Sequence, residues 1–509
     1  MNWRQLLRNI GSNWLGYFVT VTIGFFLAPF VVHRLGDTQY GIWTLVLSLT
    51  GYFGLLDLGI RSSVGRFVAR YISLDDSSKV NEIVSSAMFI LSGGSALGLI
   101  AILGLQYFFD GFRIDPSFAG PARAALFIAG LNVVIALPLG VFSSVLVALE
   151  RFDVITAISV AGALTRASLV ICLLSLNYGL LALAVVTIAV SLAESSGMVL
   201  CAKHFYPALA PRRRFIRVTA AKELLGFGLY RFVWIVANQL IFYTDSVVIG
   251  LFLGAGAITY YSIAGSLVNY ARNIVSLATD TLYPAAARLD TKRDLEGLRD
   301  LQVFGTSVAI LVGFPICAVL IFLGKQFITL WMGQQYSISA RYLVVLMIPQ
   351  VASMSQYTSA LILAAMARHR VLAYIVICEA LANLILSIIL VRKFGLIGVA
   401  WGTTIPHLIS SLFLVPGYTL RTLHMPVLSY VKRGIVRPVL CAVPTAALCY
   451  GLSLYVDRPS WALFVAELLA VVAVAAALSC AVCLTSSQRE ALISRVQLLL
   501  RRETVVNEA

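Results

Sequence analysis

The sequence predicts an all-α protein that crosses a membrane many times, and three observations predict it. Of 509 residues, 60% are hydrophobic and only 12% are charged. The mean hydropathy of +0.91 is far above what a soluble domain carries. Apolar runs of about 20 residues recur from end to end, each long enough at ~1.5 Å per residue to cross a ~30 Å hydrocarbon core. The ~10-residue alternating segments of a membrane β-barrel are absent.

About fourteen spans follow in order. Trp14–His33 comes after a polar start with two arginines and no small-residue cleavage site, so that start reads as an uncleaved end. Tyr40–Ile60 returns after Gly36. Val84–Phe109 and Pro121–Leu149 flank the external connection 110–120, and Val154–Leu176 and Leu180–Ala202 complete a first six. Leu224–Phe252, Ala257–Asp280, Val303–Leu323, Tyr342–Ala365, Val371–Val391 and Leu396–Tyr418 make a second six. Val439–Val456 and Trp461–Leu484 are two additional spans.

Lys and Arg in the connections set the orientation. With the N-terminus inside, cytoplasmic segments hold 27 of the 38 basic residues and the opposite side holds 8. The other three, Arg166, Arg231 and Arg272, lie within spans. Both termini are therefore expected in the cytoplasm. The net charge of +15 is then an orientation signal, and no nucleic-acid partner is expected. Residues 203–222 hold six basic residues and no acid, and read as a linker with attraction for anionic lipid headgroups.

The two sets of six are related. Gly179 opens span six within YGLLALA, and Gly395 opens span twelve within FGLIGVA, 216 positions later. Gly36 ends span one and Gly254 ends span seven, 218 positions later. An even number of spans per copy keeps both copies in one orientation, with a pseudo-two-fold axis along the membrane normal. The expected domains are a six-helix lobe (1–202), the linker (203–222), a second lobe (223–420), two additional helices (421–485) and a cytoplasmic tail (486–509). Two lobes with short loops suggest alternating access, and place any function within the helical bundle.

Charges inside spans are costly and mark cavities or partners. Arg231 and Arg272 are expected at similar depth on adjacent spans and, with Arg166, are the candidate substrate-binding residues. Asp245, in YTDSVVIG, lies 14 residues after Arg231 on nearly the same helix face, toward the outer half. Asp245, Glu194, Asp57 and Arg61 are candidates for a gate or for energy coupling. Internal ion pairing is the competing reading for each. Asp57 and Arg61 share a face, and Gly59, Ser62, Ser63 and Gly65 permit a bend beside them. The five histidines show no metal-ligand spacing, Cys480 and Cys483 sit in an apolar run, and no Walker motif is present. No cofactor is expected.

The segment LDLGIRSSVGRFVARY (Leu56–Tyr71) resembles the signature of Wzx-type bacterial polysaccharide flippases. The run Pro29, Gly36, Tyr40-Gly41-Ile42-Trp43 supports it, as do YTDSVVIG (Tyr243–Gly250) and GKQFITLWMGQQY (Gly324–Tyr336). That superfamily also contains multidrug extruders and the lipid II flippase. The resemblance implies a transporter, not an enzyme, moving an undecaprenyl-pyrophosphate-linked oligosaccharide from the cytoplasmic to the periplasmic leaflet of the inner membrane, for O-antigen or exopolysaccharide. A polysaccharide polymerase and a chain-length regulator are partners it suggests. The arginines would suit the pyrophosphate, and Tyr243, Tyr260, Tyr261 and Tyr270 the sugar. Three alternatives stay open: a cation-coupled drug antiporter, disfavoured by the lack of a carboxylate in Trp14–His33; a glycan polymerase or ligase, disfavoured by the lack of a large external loop; and a structural scaffold.

Overall fold

A computed structural model describes residues 3–455 and 459–482, which form helices and short connections with no strand among them. The expected tail, 486–509, lies outside these residues. Among the described residues, ten helices are long and apolar enough to span a membrane by themselves. The first of these, Gly16–Asp57, is two spans joined at Gly36, whose φ of 72° breaks the helix. Helices Val218–Phe252 and Ala255–Asp280, with the jointed pair Ser339–Ser353 and Tyr357–Ala365, occupy the remaining expected spans. The chain is a multi-pass helical membrane protein.

Helix ends follow from local chemistry. Aspartates cap the starts of three spans: Asp76 accepts from the Lys79 amide, Asp115 from Ser117, and Asp294 from Gly297, at 2.9, 2.9 and 2.8 Å. The Ser117 hydroxyl also donates to Asp115, and together these two bonds hold its carboxyl below the usual range. Prolines 315 and 406 lie inside helices that continue through π-helical turns at Val319–Leu323 and Ser410–Leu414. The missing N–H and the ring leave bonds that a wider turn re-forms.

The backbone carries the internal repeat more fully than the sequence landmarks do. Gly36 and Gly254 have φ of 72° and 92°; Gly179 and Gly395 have 63° and 60°. Non-glycine residues join the series: Asp75 and Arg293 (56° and 55°) lie 218 apart, and Glu150 and Ala367 (both 55°) lie 217 apart. The capping aspartates 76 and 294 repeat at the same offset. Left-handed residues are uncommon outside glycine, so matched pairs are a specific signature of related connections.

Packing divides the chain into two compact units. The first comprises Met1–Ser262 and Val376–Thr403, so it extends past the linker to take in span seven and part of span eight. Its larger core cluster joins Ile60, Val64 and Val68 of helix Ile60–Ser73 to Val80, Ile83 and Val84 of span three, Val141 and Val145 of span four, and Leu209, Ala220 and Leu224 of the linker and span seven. A second cluster joins Val31 and Leu35 of span one to Val170, Leu174 and residues 182–190 of spans five and six. Gly94 and Gly98 of span three take the carbonyl and side chain of Leu56, as small-residue helix contacts do.

The second unit comprises Ile263–Ile375 and Thr404–Ala509. A buried polar network ties the helix of span nine to span ten and to the connector after span twelve: Gln302 donates to Ser359 at 2.9 Å, and Tyr430 is hydrogen bonded to Thr306 at 3.2 Å. Arg299 donates to the carbonyls of Leu423 and His424, and Arg433 pairs with Asp300 at 2.8 Å. Glu467 on the last span accepts from Gln326 at 2.9 Å. Such partners are what polar groups among apolar helices require.

Candidate functional site

The segment that ends span two breaks twice in two residues. A 3₁₀ turn, Tyr52–Asp57, ends at Leu58 (φ 49°) and Gly59 (φ 74°), and a new helix runs Ile60–Ser73. The expected bend is therefore present, and the break leaves Asp57 and Arg61 paired. Arg61 Nε donates to Asp57 Oδ1 at 2.8 Å. Asp57 is buried, whereas the Arg61 side chain is 42% exposed. Among the described residues, the two terminal guanidinium nitrogens of Arg61 make no hydrogen bond. The side chain lies across Gly140 of span four, where any Cβ would stand 2.9 Å from Nη1. A buried acid thus orients an arginine whose fork stays available to an anion.

Arg166 and Glu194 are brought together from spans five and six. Arg166 Nη2 lies 3.4 Å from Glu194 Oε1, and Arg166 Nε is buried with no partner among the described residues. Gly162, one turn before Arg166, leaves the space that the Glu194 carboxylate fills. The two residues form an interhelix pair, so Arg166 is not an isolated cation.

Asp245 lies at the centre of a knot of three spans. Its Oδ2 accepts from Tyr261 of span eight at 2.6 Å and from Thr403 of span twelve at 2.8 Å. Only 7% of Asp245 is exposed, and Oδ1 has no partner among the described residues. A buried carboxylate with one open oxygen is an acceptor for a proton or a small cation. The Tyr261 hydroxyl, named above for the sugar, is given to this acid. Sequence reading missed Thr403 and Gly140: neither is charged, and small neutral residues are common in spans. The paired hydroxyls Thr403-Thr404 inside an apolar run were the available signal.

Span two lies along span seven and the first residues of span eight, within the same unit. Thr259 donates to the Asp37 carbonyl and Tyr260 to Asp37 Oδ2, both at 2.6 Å. Gly41 faces the carbonyl of Ala255, Gly250 packs on Leu45 and Phe112, and Gly51 packs on the ring of Tyr243. Tyr52 is hydrogen bonded to Thr244 at 2.9 Å. Tyr243 and Tyr260 thus have protein partners here.

Arg272 is half-buried on span eight. The helix carrying Arg231 is described, but the Arg231 side chain lies outside the described residues.

Residues 6–290 match the family described as Polysaccharide biosynthesis protein. The chain belongs to that family. The matched stretch holds every candidate site residue named from the sequence, and leaves Thr403 beyond it. Membrane protein EpsK of Bacillus subtilis (strain 168) is 22% identical over 89% of this family member and 90% of its own length. A putative O-antigen transporter of Shigella flexneri is 24% identical over 82% of this chain and 98% of its own. Among solved structures, the lipid II flippase MurJ in an inward closed conformation superposes with a TM-score of 0.70 at 15% identity, covering 93% of this chain and 98% of that one. At that identity the likeness concerns the fold alone.

Proposed function

We propose that the protein is a flippase for lipid-linked oligosaccharides, carrying an undecaprenyl-pyrophosphate-linked glycan from the cytoplasmic to the periplasmic leaflet of the inner membrane. Both termini are then cytoplasmic, and the product feeds O-antigen or exopolysaccharide assembly, with a polymerase and a chain-length regulator acting next. The observation that carries this reading is the set of charged side chains held inside a bundle of spans joined by short connections. The family and the O-antigen transporter relative support it.

In this mechanism two lobes, 1–202 and 223–420, rock about a shared cavity, with 203–222 linking them and the helices of 421–485 outside the repeat. Arg231, Arg272 and Arg166 hold the pyrophosphate, because guanidinium groups bind phosphate oxygens in bidentate fashion. Arg61, oriented by Asp57 at the cytoplasmic rim, receives the headgroup on entry. Asp245 couples transport to a proton or monovalent cation through its open oxygen, while Glu194 sets the position of Arg166.

The test replaces Arg231 and Arg272 singly with Ala and with Lys in a strain that needs this protein for surface polysaccharide. Loss of polysaccharide in the Ala variants, with partial return in Lys, is expected. Full polysaccharide from both Ala variants at normal protein level would sink the substrate role.

A further inference from the structure

The connection between spans six and seven is strapped onto span three. Asn81 donates through Nδ2 to the Ala208 carbonyl at 2.9 Å and accepts at Oδ1 from the Ala210 amide at 2.7 Å. One turn on, Ser85 Oγ accepts from the Arg212 amide at 3.2 Å, and Ser86 Oγ from the Arg217 amide at 3.0 Å. All three side chains are buried, and Leu209 is sunk in the adjoining core cluster. A loose tether would leave these amides to water. Here a helix face reads the linker backbone and fixes its path.

What the strap presents is uncompensated positive charge. Arg212, Arg213 and Arg214 are exposed, and among the described residues none has a carboxylate partner. Arg214 lies over the Phe215 ring at 4.9 Å. Nearby Lys79 and Arg217, in contrast, both engage Glu82, at 2.7 and 4.0 Å. Val218, which opens the helix that carries span seven, is 73% exposed. Arg214 precedes it by four residues and Arg212 by six, so the three arginines stand within about 22 Å of that helix start. Arginines beside an exposed valine, at the start of a helix that leads into a span, match the headgroup layer, where charge meets phosphate and carbon meets acyl chain.

We infer that residues 212–214 form a fixed docking shelf for anionic phospholipid headgroups. Planar guanidinium groups suit phosphate oxygens, and the strap removes the ordering cost that a mobile basic loop would incur on binding. The full-length protein in neutral detergent is titrated with fluorescent phosphatidylglycerol and, separately, phosphatidylcholine. The wild type is expected to prefer phosphatidylglycerol, and each arginine lost is expected to weaken that preference by about fivefold. R212Q/R213Q/R214Q should therefore abolish it. Asn81→Ala keeps every charge but frees the linker, and should reduce the preference several-fold; Ser85→Ala, which loses one bond, serves if Asn81→Ala does not fold. A triple variant that still prefers phosphatidylglycerol overturns the inference. An undiminished preference in a folded strap variant overturns the fixed shelf. Inorganic pyrophosphate displacing the lipid at equal concentration overturns a lipid surface in favour of a small-anion site.

Discussion

Gly41 at the start of span two faces the backbone carbonyl of Ala255 so closely that no side-chain carbon fits between them. Flanking this contact, Asp37 accepts from Thr259 and Tyr260 at 2.6 Å. Two helices therefore meet backbone to backbone, with a polar clasp beside the contact. Gly41→Ala should lower stability by ~1–3 kcal/mol, the usual cost of overpacking. Gly41→Leu should part the helices and raise labelling of a cysteine at residue 48 by an impermeant maleimide in a cysteine-free background. Unchanged labelling in a folded Gly41→Leu protein would show that the contact seals nothing.

Tyr261 and Thr403 each donate to Asp245 Oδ2, so each removal leaves one bond in place. Tyr261→Phe and Thr403→Val should each cost about 0.5–2 kcal/mol in detergent unfolding. The double variant should cost more than their sum, because it strands a buried carboxylate. Asp245→Asn should fold and yet abolish polysaccharide export.

Gly140 gives Arg61 its resting place. Gly140→Val keeps the guanidinium but displaces it, so export should fall as far as in Arg61→Ala, while Gly140→Ala should fall between Val and wild type. Wild-type export from a stable Gly140→Val protein would remove Arg61 from the entry step.

The Arg166–Glu194 pair, at 3.4 Å, should show a coupling of about 0.6 kcal/mol in a double-mutant cycle, as polar pairs between spans do. R166Q/E194Q should therefore be expressed and folded. If Arg166 holds the pyrophosphate, that variant still loses export.

Gly179 and Gly395 have nearly the same left-handed backbone, at 63° and 60°. Alanine at either should cost ~1–2 kcal/mol from the clash of Cβ with the following carbonyl. Gly179→Ala should cost somewhat more, because its Cβ would also meet Gln39 Oε1 at 3.2 Å, while among the described residues nothing lies near Gly395. A larger cost at Gly395 than at Gly179 in thermal unfolding would contradict this.

Class, membrane, approximate spans and repeat are all legible in the linear chain. Each rests on a signal that is additive along the chain: hydropathy over 20 residues, basic residues per connection, glycine where φ must be positive. The chain also named Asp57 with Arg61, because four residues apart is a helical neighbour. The partners of the other buried charges emerge only when the helices pack. That Arg166 meets Glu194, that Asp245 is held by Tyr261 and Thr403, and that Asn81 grips the linker depend on how helices rotate against one another. That rotation is set by packing of small and neutral residues such as Gly162, Gly140 and Gly41, whose contribution is the space they leave, and a space has no signature in a linear chain.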